Sequence, residues 1–306
     1  MQRFQCPHRD ILLFAAVALL LVTSIATSNQ ALAATDKNDK IPKAESHRAK
    51  LDGARIHYVN YGKGDEALVL IHGWTQSADA WRDNVADLAA RSRVIVVELP
   101  GHGQSDKPKV TYSMDYFARA VEAVMRDAKV KRAVLVGHSM GTPVARQFYR
   151  KYPEQTLAIV IVDGSLRPFD NKAMLDQLIA GLRGPKYRDV IDQMFGMMFG
   201  PALSAESKQL VKASTENTPQ YVLASAFESM TDPSIWAEDK INVPVLAIMA
   251  KNPFLPPNVE ESFRALAPQM EFHMWEGVGH FIMMEKPKEF NAAVIQWLDK
   301  NRLLKK

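Results

Sequence analysis

Residues 133–141 read Ala133-Val134-Leu135-Val136-Gly137-His138-Ser139-Met140-Gly141. The first four form a short, continuous apolar run, which suits a strand buried on both faces. The residues after Gly141 are read as a helix reaching about Tyr152. A strand that enters a helix through Gly-x-Ser-x-Gly makes a tight turn and lifts its serine into the cleft above the sheet. At Gly137 and Gly141 the neighbouring backbone is expected to leave no room for a side chain. The helix start also brings backbone N–H groups and positive dipole to the Ser139 hydroxyl. Ser139 is therefore the candidate nucleophile.

Similar apolar runs flank this stretch on both sides: 67–71, 94–97, 159–162 and 245–248. Segments with helical spacing separate them, such as Tyr116, Ala120, Val121 and Val124. The final segment, 287–304, carries Phe290, Val294 and Trp297 at the same spacing. Continuous apolar strands alternating with helices predict an α/β fold: a mostly parallel central sheet with helices on both faces. The alternation breaks over 167–239, where only helical pieces are expected, near 172–182, 187–199 and 205–214. Ligands of open parallel sheets bind at the carboxyl ends of the strands, so this segment is read as a helical cap roofing the site. The core is then expected to span 48–166 and 240–306. Within the cap, Met194, Phe195, Met197, Met198 and Phe199 are read as buried cap core in preference to a substrate surface.

The chain has 306 residues, 47% hydrophobic and 24% charged, with 15 Gly and 17 Pro. This excludes a disordered, collagen-like or disulfide-stapled chain. The net charge of +4 comes from basic residues spread along the sequence with no basic, aromatic-interleaved stripe, so nucleic acid is not an expected partner. Arg3 and Arg9 precede an apolar run over 11–22, and Ala31-Leu32-Ala33 offers small residues for cleavage. Residues 1–33 are accordingly read as a signal peptide, and the protein as exported to the periplasm or secreted, touching a membrane only through that segment. Cys6, the single cysteine, precedes the apolar run, so no disulfide is expected in the mature chain. The polar, lysine-rich residues 34–47 are read as a flexible leader. Gly101-His102-Gly103 lacks the third glycine of a dinucleotide fingerprint. With no Walker loop, His-Glu-x-x-His or cysteine ligand set, neither cofactor nor metal is expected.

Three further segments fit around Ser139. Ile71-His72-Gly73-Trp74 ends a strand where the N–H of Trp74 can complete an oxyanion hole with the N–H of Met140. Leu99-Pro100-Gly101-His102-Gly103-Gln104-Ser105-Asp106 follows the next strand, and Gly279-His280-Phe281 precedes the last helix. Together these motifs resemble the α/β-hydrolase family, over nearly all of the chain beyond residue 33. The resemblance implies that His72-Gly73-Trp74 is the oxyanion loop, that His280 is the general base, and that the triad runs Ser, acid, His along the chain. His57 and His273, in strands, and His72 and His102, in loop motifs, are read as structural. His138 sits on the elbow itself and is a poor base for Ser139.

The acid is less plainly written. Most relatives carry it in a Gly-x-x-Asp pattern after the strand matching 245–249, where this chain has Met249-Ala250-Lys251-Asn252-Pro253-Phe254. Asp163, directly after the run 159–162, is the first candidate, since haloalkane dehalogenases among other branches place their acid there. A carboxylate at that strand end needs a partner such as His280. Glu260 and Glu261 are the alternatives. The resemblance implies a serine hydrolase acting on carboxylic esters of small to medium apolar substrates. Lactone, C–C bond or perhydrolase chemistry on the same triad stays open, and so does a non-catalytic ligand-binding role, which the missing Gly-x-x-Asp motivates. Haloalkane dehalogenases and epoxide hydrolases use aspartate where this chain has Ser139.

Overall fold

The computed structural model describes residues 42–168, 171–253 and 255–304. The signal peptide read at 1–33 lies outside them. Eight strands form one sheet: β1 (Ala44–Leu51), β2 (Ala54–Tyr61), β3 (Glu66–Ile71), β4 (Val94–Val97), β5 (Arg132–His138), β6 (Thr156–Val162), β7 (Val245–Ala250) and β8 (Met270–Trp275). Their order is β1-β2-β4-β3-β5-β6-β7-β8. From β4 to β8 every neighbouring pair is parallel, whereas β2 is antiparallel to both β1 and β4. The central strands bury almost every side chain, which explains their unbroken apolar runs.

Helices cover the sheet as expected. Those of the core are α1 (Val85–Arg91), α2 (Met114–Asp127), α3 (Gly141–Lys151), α8 (Val259–Arg264), α9 (Ile282–Glu285) and α10 (Pro287–Lys300). Helix α2 is amphipathic and buries Phe117, Val121 and Val124. Its Ser113 accepts the Tyr116 N–H at 3.1 Å, which satisfies one of the unpaired donors at the helix start. Between β6 and β7 the chain forms α4 (Lys172–Arg183), α5 (Tyr187–Met198), α6 (Ala205–Glu216) and α7 (Gln220–Met230). The fourth of these was not anticipated.

Two arginines of α3 fasten both roots of this helical segment. Arg146, almost wholly buried, donates to Leu166 O on the outgoing side and to Ala237 O on the returning side. Arg150 adds a bidentate pair with Asp239 and a bond to Ile235 O.

The flexible leader needs correction at its end. Residues 44–47 are not leader but the first half of β1, paired along its whole length with β2 from Ala44↔Tyr61 to Leu51↔Ala54. The strand lies at the sheet edge and buries only Ala49. Its polar composition therefore reflects solvent on both faces, and no hydrophobic pattern marks it in the sequence.

Candidate active site

Ser139 sits where β5 turns into α3. Its φ of +52° lies in the left-handed region, a conformation that costs a side-chain-bearing residue on the order of 1–3 kcal/mol and is held here by its surroundings. The Ser139 N–H donates to Val162 O at 3.0 Å, and its carbonyl accepts from Thr142 N at 2.9 Å. The elbow is packed against backbone on both sides. A Cβ at Gly137 would collide with the Gly141 carbonyl, and one at Gly141 would stand 2.5 Å from Ile71 O and 3.1 Å from His72 O. Gly141→Ala should therefore push α3 off β3 and lower Tm by about 2–12 °C, the effect of 1–3 kcal/mol of overpacking in a domain this size. Thermal unfolding followed by circular dichroism reads this; an unchanged Tm would mean that the two segments do not touch.

Asp163 follows β6 and also adopts a positive φ, +42°. Its backbone N–H is tied to Ile248 O at 2.9 Å, and its Oδ1 accepts the Ala250 N–H at 2.8 Å. The other oxygen, Oδ2, lies 2.7 Å from His280 Nδ1. A carboxylate oxygen accepts, so Nδ1 carries the proton and Nε2 is left with its lone pair. The competing carboxylates are elsewhere: Glu260 and Glu261 are exposed on α8, and Glu260 pairs with Arg264. Asn252 donates to Ala250 O at 3.2 Å.

His280 is held by the chain on three sides. Its backbone N–H donates to Met198 O at 2.9 Å, joining the loop to the end of α5. Its carbonyl accepts the Nε2–H of His138 at 2.9 Å, and the two imidazoles lie 4.7 Å apart, tilted. Before it, the Gly279 N–H donates to both oxygens of the buried Glu285 at 3.0 Å. Sequence reasoning excluded His138 as base but did not foresee its contact with His280. Its position next to Ser139 was the only available signal. Burial above all pushes the His138 pKa well below its ordinary value, so the ring is neutral. Its proton is on Nε2, and Nδ1 is buried with no partner among the described residues.

The loop after β3 closes the other side. A Cβ at Gly73 would stand 3.1 Å from Ser139 Cβ and 2.8 Å from His138 Nδ1, so only glycine lets Trp74 follow the turn at this approach. Among the described residues, no carbonyl takes the backbone N–H of Trp74 or of Met140. The Trp74 indole donates to Leu223 O at 3.0 Å and packs on Phe227 at 5.4 Å, which ties α7 over this loop. Of the apolar run in α5, Met194 and Phe195 are buried and Met197 is 63% exposed. Phe195 and Phe199 pack on Phe281, at 6.3 and 5.7 Å. His72 and His102, both fully buried, hold loop backbone: His72 Nε2 accepts the Leu99 N–H at 3.0 Å and His102 Nδ1 bonds Pro100 O at 3.0 Å. Among the described residues there is no group of three or more His, Cys, Asp or Glu placed to hold a metal ion.

Known proteins bear on this arrangement. A family model described as "alpha/beta hydrolase fold" matches residues 66–195. A 2-hydroxy-6-oxononadienedioate/2-hydroxy-6-oxononatrienedioate hydrolase from Paraburkholderia phymatum is 31% identical over 80% of this chain and 91% of its own length. The chain belongs to the α/β-hydrolase family. A soluble epoxide hydrolase from a Corynebacterium species is 27% identical to this hydrolase over 79% of the chain and 93% of that relative. Among solved structures, a thermophilic esterase superposes with a TM-score of 0.68 at 26% identity, over 84% of this hydrolase and 98% of the esterase. The family and the hydrolase relatives together mark the chain as an enzyme that hydrolyses small molecules.

Proposed function

We propose that this α/β hydrolase cleaves carboxylic esters of small to medium apolar substrates through an acyl-enzyme on Ser139. The observation that carries the reading is the 2.7 Å contact between Asp163 Oδ2 and His280 Nδ1, on the strand next to the Ser139 elbow. In this reading Ser139 Oγ attacks the ester carbonyl carbon and its proton passes to His280 Nε2. Asp163 holds the tautomer and stabilises the imidazolium. The N–H groups of Trp74 and Met140 receive the developing oxyanion. His280 then returns the proton to the leaving alcohol, and water repeats the cycle on the acyl-enzyme.

Apolar acyl groups are favoured because the aromatic residues packed on His280 and Trp74, namely Phe281 and Phe227, carry no charge. The relationship to the Paraburkholderia hydrolase favours a second reading, C–C bond cleavage in a keto acid, on the same three residues. A chromogenic ester series from acetate to decanoate separates the two. Ester turnover that is lost in Ser139→Ala, by about 10⁶-fold in kcat, supports the esterase. No turnover on any ester, together with cleavage of a vinylogous 1,5-diketone acid, overturns it in favour of the second.

A further inference from the structure

Away from the Ser139 cleft, a second serine, histidine and carboxylate stand in line. Ser46 is exposed on β1, and its Oγ lies 2.8 Å from His57 Nε2 on β2. His57 Nδ1 lies 2.9 Å from Oε2 of Glu98, just past β4. Ring and carboxylate are buried, at 2% and 5% side-chain exposure. The sheet fixes their spacing. The His57 carbonyl accepts the Glu98 N–H at 3.0 Å, and Ser105 Oγ bridges the His57 N–H, at 2.8 Å, and the Glu98 carbonyl, at 2.6 Å.

Proton positions follow from the partners. Burial pushes the Glu98 carboxyl up, but the His57 ring and the N–H groups of Gln104 and Ala78 outweigh it, and the net shift is downward. Glu98 is thus a carboxylate that only accepts, so His57 Nδ1 carries a hydrogen toward it. In the neutral ring Nε2 is then the acceptor that faces the Ser46 hydroxyl. A hydroxyl donating to an imidazole whose far side rests on a buried carboxylate is an activated nucleophile. Arg48 follows on the same face of the strand, its guanidinium bonded to Gln104 O at 2.6 Å. His57 and Glu98 also line a cleft of about 470 Å3 whose walls mix apolar residues such as Val59 and Leu210 with polar ones such as Asp79 and Arg82.

We infer that Ser46 is a second nucleophilic serine, independent of Ser139, that accepts groups from activated carboxylic and phosphonic acid derivatives. With an alkyl fluorophosphonate, Ser46 Oγ attacks phosphorus, a P–O bond forms, the P–F bond breaks and fluoride leaves. The hydroxyl proton passes to His57 Nε2 and on to solvent.

The test is treatment of the full-length Ser139→Ala protein with a small alkyl fluorophosphonate, read by intact mass and peptide mapping. The expected result is one phosphonyl adduct on Ser46. It is absent from the Ser139→Ala/Ser46→Ala protein and forms at least about 100-fold more slowly when His57→Gln is added, the usual contribution of a positioned base. Ser46 is exposed, so its replacement decides the matter even where His57→Gln does not fold. Because Ser139 is absent throughout, the outcome does not depend on the esterase reading. An unmodified Ser46 after exhaustive treatment overturns the inference, as does an adduct that forms equally fast without His57.

Discussion

Asp163→Asn should lower kcat on the best ester substrate by about 10⁴-fold with little change in KM, the effect seen when the third member of such a triad loses its charge. The asparagine side chain keeps the shape and still meets His280 Nδ1. It can, however, present an N–H as well as an oxygen, and so stabilises the tautomer with Nε2 protonated. That ring cannot take the Ser139 proton, and an imidazolium formed at position 280 loses its anionic partner. Substrate contacts are untouched, so the loss belongs to the transition state and appears in kcat. Glu260→Gln and Glu261→Gln, both on the exposed side of α8, should stay within about twofold of the parent, as surface substitutions away from a site do. If Asp163→Asn retained more than a tenth of the parent kcat while Glu260→Gln or Glu261→Gln lost activity, the acid would lie on α8 and the 2.7 Å contact would be a structural one.

What could be read before the fold was known follows from where each residue sits. Buried parallel strands bury both faces, so β3 to β7 appear as apolar runs, and the elbow at Ser139 announces itself through two glycines that backbone packing demands. Asp163 was harder, because a single aspartate at a strand end looks like any other until its partner, 117 positions away, arrives. Strand β1 was illegible for the opposite reason: its pairing is backbone to backbone at an exposed edge, and seven of its eight side chains are not buried. The same misreading hid Ser46, which belonged to the supposed leader, from His57 and Glu98. The contact between His138 and His280 could not be anticipated either, since it runs through the His280 carbonyl and no side-chain type encodes it.

Acid should destabilise this fold sooner than its carboxylates alone would dictate. His72, His102 and His138 are at most 1% exposed. Each spends its one ring proton on a backbone carbonyl: Gly73 O, Pro100 O and His280 O. A second proton on His72 would displace the Leu99 N–H, and on His102 or His138 it would charge a buried nitrogen with no partner among the described residues. Burial above all lowers the His72 pKa to about 4 and that of His102 to about 3, and holds His138 well below its usual value. Unfolded, all three take up a proton near pH 6.5, so below that pH the unfolded state binds more protons and stability falls as the pH falls. Each histidine contributes a slope of about 1.4 kcal/mol per pH unit, from roughly pH 6.5 down to its own folded value. Three together approach about 4 kcal/mol per unit, against a total stability on the order of 5–15 kcal/mol. Urea unfolding between pH 7.5 and 4.5 should therefore show a midpoint that holds above pH 7 and drops steeply below 6.5, well before carboxylates with ordinary unfolded values near 4 begin to titrate. His102→Gln, whose amide N–H can keep the Pro100 bond, should reduce the slope by about one proton's share. A midpoint that stays level from pH 6.5 to 5 would mean that these rings gain protons in the native state, and with it the neutral His138 that braces His280 would be lost.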